Sequence, residues 1–182
     1  MNLRQGILVL AAALLARSSV HSGEARLLPT MAPPSIELRD QYDAPQKLSF
    51  PTTNVTLLTI ADQQGSEQVD GWMAALKPRY AGRIDIRGLA DCGGAPGFVQ
   101  SRIRRKFQET RKYPVMMDWS GKVCAQFGCE PHLANILVLG RDGIILARFT
   151  GAATPSGIVD ANAALDKVLS TQAKLKPAPA SP

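Results

Sequence analysis

The sequence predicts an α/β domain with a mixed central sheet and helices on both faces. Three observations lead there. Short β-branched, apolar runs alternate with stretches whose apolar residues recur every three or four positions, so strands alternate with helices. Near the C-terminus two apolar runs flank Gly140-Arg141-Asp142-Gly143, a hairpin signature that adds antiparallel strands. Finally, 182 residues with 45% hydrophobic and 20% charged side chains suit one domain with a substantial core.

The N-terminus stands apart. Arg4 precedes the unbroken apolar run Gly6 to Ala16, and small and polar residues follow through Ala25. Positive, apolar, then small is the order of a secretory signal peptide, expected over residues 1–25 with cleavage after Ser22 or Ala25. The run is too short to span a bilayer, which takes about 20 residues; an uncleaved membrane anchor is the alternative reading. No later run is long and apolar enough to cross a membrane. Cleavage removes Arg4, Arg17 and Glu24 and takes the net charge from +6 to +5. Three prolines in residues 26–35 make that stretch an extended leader.

The domain proper is expected over 36–170. Val55 to Ala61 reads as a buried strand. A helix follows from Ser66, its candidate cap, with Val69, Trp72, Met73, Leu76 and Tyr80 on one face, and Pro78 ends it or kinks its last turn. Arg83 to Ala90 is a second strand, with Ile84, Ile86 and Leu89 as inward candidates. After a loop at Cys92 to Ala95, Pro96 opens a helix whose inner stripe is Val99, Ile103 and Phe107. Tyr113 to Asp118 is a short strand, and a turn at Trp119 to Gly121 leads into a short helix from Lys122 to Phe127. The hairpin pairs Asn135–Leu139 with Ile144–Phe149. A last helix runs from Pro155 to Leu169, and residues 171–182, rich in Ala, Lys and Pro, are expected to be a disordered tail.

Four segments in this order resemble the alkyl hydroperoxide reductase and thiol-specific antioxidant group, a peroxiredoxin-like branch of the thioredoxin fold. They are Pro34 to Asp40, Tyr113 to Asp118, Gly121 to Gly128 and Asn135 to Gly143. A nearer likeness is to small exported YtfJ-type proteins, through Pro96-Gly97 and the turn at Asp118 to Val123. The resemblance implies a thioredoxin-like three-layer fold for the span Pro34 to Leu169. It also implies where the redox chemistry belongs, and there the chain departs. Between the first strand and its helix, where the family carries its cysteines, stand Gln64 and Glu67. Nine residues before Gly143, where thioredoxins place a cis-proline, stands Ala134. Both features of the usual redox site are therefore expected to be lost, leaving a degenerate site.

Three cysteines remain as catalytic candidates: Cys92, Cys124 and Cys129. Within one helix Cys124 and Cys129 would face different ways. If Gly128 ends the helix at Phe127, the two come close enough for a disulfide; otherwise they are two small, partly buried thiols. Cys92 lies at the edge where α/β sheets bind ligands. It is a relocated reactive thiol, a bland loop thiol, or a partner for Cys124 or Cys129. Cys129, Glu130 and His132 make only a faint zinc pattern, so no metal or cofactor is expected. The basic residues Arg102, Arg104, Arg105, Lys106, Arg111 and Lys112 lack interleaved aromatics or a reader motif and are read as a solvated face rather than a nucleic-acid site. The expectation is a periplasmic or secreted protein that binds an unknown protein or peptide of the cell envelope, with no membrane span after signal cleavage. The alternative is a thiol-dependent oxidoreductase or peroxidase using Cys92 or the Cys124/Cys129 pair.

Overall fold

The computed structural model describes residue 28 and residues 30–175. The expected signal peptide and the end of the tail lie outside these residues. Seven strands and four helices follow in the order β1 (Ser35–Arg39), β2 (Pro45–Ser49), β3 (Thr56–Ala61), α1 (Ser66–Tyr80), β4 (Asp85–Asp91), α2 (Gly97–Thr110), β5 (Val115–Asp118), α3 (Lys122–Phe127), β6 (Asn135–Leu139), β7 (Ile145–Thr150) and α4 (Pro155–Leu175).

The central sheet has the order β5-β4-β3-β6-β7. β3, β4 and β5 run parallel, whereas β6 runs antiparallel to β3 and β7 antiparallel to β6. β3 and β6 are buried along their whole length, which explains why their sequences, Thr56, Thr59 and Asn135 apart, are apolar rather than alternating. On one face, Val69, Trp72, Leu76 and Tyr80 of α1 and Ala161 and Leu165 of α4 pack on Leu57, Ile136 and Val138. Ile103 and Phe107 of α2 cover Ala90, Val115 and Met117. On the other face, Cys124 and Phe127 of α3 and Ile36 and Leu48 of the β1–β2 hairpin cover Leu58, Ile60, Leu89 and Leu137. Leu89 thus faces the opposite side from Ile86, as strand alternation requires.

Several expectations are corrected. The leader gives way to the β1–β2 hairpin at Ser35, and Met31 already bridges Ile144, the residue before β7. α4 continues past Leu169 to Leu175, taking in the first residues of the expected tail. Ser66 does not cap α1. The cap position is Gly65, and Ser66 Oγ donates instead to the Gln63 carbonyl at 2.8 Å. Pro78 lies inside α1, which ends two residues on. So close to the end Pro forfeits one bond, and Tyr80, fully buried, anchors the last turn by donating to the Asn162 carbonyl at 3.1 Å and to Asp166 at 3.0 Å.

Gln41 closes the β5 edge. Its fully buried side-chain amide donates to the Tyr113 carbonyl and accepts from the Val115 N–H, both at 2.8 Å. One side chain thereby satisfies backbone groups that a further strand would otherwise meet.

Candidate functional site

The ends of the parallel strands β3, β4 and β5 come together at one edge of the sheet. Asp62 follows β3, Asp91 closes β4, and Asp118 closes β5 directly opposite Asp91 in the strand register. This is the edge at which open α/β sheets place their sites.

Asp62 organises the turn into α1. Its Oδ1 accepts the Gly65 N–H at 2.8 Å, and its Oδ2 accepts the His132 N–H at 2.8 Å and faces His132 Nδ1 at 2.9 Å. Gln68 adds two further ties, donating to the His132 carbonyl at 3.1 Å and accepting the Ala134 N–H at 3.2 Å. The α1 turn and the segment before β6 are therefore strapped together across a separation of some seventy residues. Gly65 lets them close. A Cβ there would meet the Leu133 carbonyl carbon and oxygen at 2.5 Å, so only glycine fits. Gln64 and Glu67, the positions matching the family's cysteines, are exposed. Ala134, where the family has its proline, is fully buried against the core, and among the described residues the cis peptide is Phe50–Pro51 rather than the bond before Ala134.

Burial of Asp62 works against its ionisation. The N–H groups of Gly65 and His132, and the charge and hydrogen bond of His132, outweigh it and hold the carboxyl below the ordinary aspartate range. A carboxyl lowered by folding stabilises the fold above its unfolded value, and that contribution disappears as the pH falls through the folded value. The urea midpoint is therefore expected to decline as the pH drops below about 4. In Asp62→Asn that acid limb should be flatter; an unchanged limb would show that the strap is not ionic.

Cys92 is 7% exposed and packs with Ala90, Val115 and Met117. Burial first, and then the charges of Asp91 and Asp118, push its thiol up to about 12. It is thus a poor nucleophile near neutrality. With the thiol raised and the side chain 7% exposed, alkylation at pH 8 should be at least about tenfold slower in the native protein than in urea. Comparable rates would show that Cys92 is accessible and reactive.

Asp118, fully buried, holds the next turn. Its Oδ1 accepts from Ser120 Oγ at 2.8 Å and Ser120 N–H at 3.2 Å. Its Oδ2 accepts the Val123 and Cys124 N–H groups at 2.8 and 3.1 Å, capping α3. Gly128 ends α3 in the left-handed region at φ 63°, the condition under which the sequence could bring the two cysteines close. Cys124 and Cys129 are both thiols in this structure, Cys124 buried and Cys129 half-buried. His132 turns away to Asp62. Among the described residues no group of three His, Cys, Asp or Glu side chains is placed to hold a metal ion.

The Asp62–His132 and Gln68–Ala134 ties escaped sequence reading, because nothing local to either residue marks a partner so distant in the chain. The carboxylates ending β4 and β5 did leave a signal: an Asp closing each apolar strand before a Gly-containing turn.

No protein-family model matches the chain, and no curated protein is significantly similar to it. Solved structures do match. A DsbE-type thiol:disulfide interchange protein from Chlorobium tepidum aligns with a TM-score of 0.59 at 18% identity, covering 79% of this chain and 99% of that one. A DsbF homologue from Corynebacterium diphtheriae gives 0.57 at 17% identity, covering 81% and 96%. The exposed lipoprotein thioredoxin Etrx1 of Streptococcus pneumoniae gives 0.56 at 13% identity, covering 70% and 96%. The likeness is one of architecture.

Proposed function

Since the chain has a thioredoxin-like fold, we propose that it is an exported, redox-degenerate member of that fold that acts by binding a protein or peptide of the cell envelope. The binding face is the sheet edge formed by Asp62 to Ser66 and Cys92 to Pro96. One observation carries the reading. At the point where the fold's dithiol chemistry belongs, this chain has no thiol, and Gly65 is packed onto the Leu133 backbone with Asp62 pinned to His132. Binding needs such a preformed surface; thiol exchange needs an accessible sulfur there. Export is favoured by the positive, apolar, small order of the first 25 residues. The likeness to an exposed lipoprotein thioredoxin agrees with it. Among the described residues no helix is long and apolar enough to cross a membrane.

Turnover assays test the reading. Insulin reduction in the presence of dithiothreitol and consumption of hydrogen peroxide should both run at the rate of the protein-free control. A catalysed rate in either assay, abolished by Cys92→Ser or Cys124→Ser in a folded protein, would replace the binding reading with the thiol-dependent enzyme.

A further inference from the structure

Away from that edge, α3 ends in a particular way. The Gly128 N–H donates to the Ala125 carbonyl at 3.0 Å and the Cys129 N–H to the Cys124 carbonyl at 3.1 Å. With Gly128 in the left-handed region, these two bonds form a Schellman termination. That motif brings the side chain just beyond the glycine onto the one three positions from the helix end. Here those two side chains are Cys129 and Cys124, and both belong to the same apolar cluster. An apolar pair usually occupies these positions; here a pair of thiols is held there by backbone geometry.

The surroundings distinguish the two sulfurs. Cys124 is 3% exposed and lies among Leu89, Met116 and Phe127, whereas Cys129 is half-buried at the rim of the same cluster. Arg148 donates to the Phe127 carbonyl at 2.8 Å and braces the turn from β7. Cys92 belongs to a different cluster, with Val115 and Met117.

We propose that Cys124 and Cys129 form a disulfide-exchange site that closes on reaction with a low-molecular-weight disulfide, Cys129 being the entry thiol and Cys124 the resolving one. Cys129 gives its proton to solvent, and its sulfur attacks one sulfur of the incoming disulfide. The old S–S bond breaks and one thiol leaves. Cys124 then loses its proton and attacks Cys129 Sγ, which expels the second thiol. The protein dithiol is oxidised by two electrons, and the incoming disulfide is reduced to two thiols. Contact with Cys129, burial, and the charges of Asp91 and Asp118 push the Cys124 thiol up. Burial and the two carboxylates persist once Cys129 carries the adduct, so closure is the slow step and quickens as the pH rises. The proposal stands on the α3 terminus and is independent of the binding role. Stoichiometric closure without catalytic turnover is compatible with a degenerate redox site.

The test uses the full chain, reduced and then incubated with oxidised glutathione, quenched by alkylation and mapped by mass spectrometry. The expected product has lost two hydrogens, carries one Cys124–Cys129 crosslinked peptide, and leaves Cys92 unmodified. Cys124→Ser should retain a stable glutathione adduct on Cys129, and Cys129→Ser should take up none at Cys124. Two alkylatable thiols at 124 and 129 in the treated wild type would overturn the proposal. So would an adduct on wild-type Cys129 that fails to convert to the crosslink as the pH is raised, or a crosslink to Cys92. The insulin and peroxide assays score the binding reading separately, so either idea can fail alone.

Discussion

Replacing Asp118 with alanine is expected to destabilise the protein by about 3–5 kcal/mol, because it removes a helix cap and leaves buried donors without partners. The side chain is fully buried and accepts four hydrogen bonds, from Ser120 N–H and Oγ and from the N–H groups of Val123 and Cys124. The other side chain meeting an N-terminal donor of α3 is Ser120, whose Oγ accepts the Lys122 N–H at 3.2 Å and is itself held by Asp118. Asp118→Asn keeps the shape and one acceptor oxygen, so its cost should be smaller, about 1–2 kcal/mol. Urea unfolding with an unchanged m-value would measure both. A loss below about 1 kcal/mol for the alanine variant would mean that water replaces the carboxylate and that α3 is held by its apolar face alone.

The second large effect is expected at Trp72, where truncation to alanine should cost about 4 kcal/mol. The indole is 2% exposed. Its ring lies 5.6 Å from that of Phe149, and its N–H donates to the Gly151 carbonyl at 2.9 Å. It also touches α4 at Gly157, where an added Cβ would sit 3.1 Å from Cη2. Trp72 therefore joins α1, β7 and the start of α4. Trp72→Phe, which keeps a ring but loses the N–H and part of the volume, should recover about half of the deficit. If the two variants unfold at the same urea concentration, the hydrogen bond and not the packing dominates at this position.

These two sites show what could be read in advance. Trp72 announces itself through its spacing to Val69, Leu76 and Tyr80, because a helix face repeats. The wholly buried strands β3 and β6 stand out as β-branched and apolar runs, and the β6–β7 turn through its glycines and aspartate. The β1–β2 hairpin is nearly silent, since only Ile36 and Leu48 of its two strands are buried. Its turn is held by Asp40, whose Oδ1 accepts the Tyr42 and Ala44 N–H groups at 2.8 and 3.0 Å. Such a turn has a polar rather than an apolar signature. At the site Gln64 and Glu67 were legible as departures from the pattern the sequence resembles, and Gly128 was legible as the end of α3. The strap between Asp62 and His132 was not, because two polar residues seventy positions apart meet only once the sheet has brought β3 beside β6.

Gln41 bears on how the molecule treats its neighbours. A bare outer strand of a sheet invites pairing with another chain, either productively with a peptide ligand or in edge-to-edge polymerisation. At Tyr113 and Val115 the hydrogen-bonding groups are already taken by one buried amide. A ligand peptide cannot extend the sheet at that point without expelling Gln41. Strand addition and self-templating are suppressed at this point of the flank by a single side chain, which agrees with a proposed binding face at the strand ends instead.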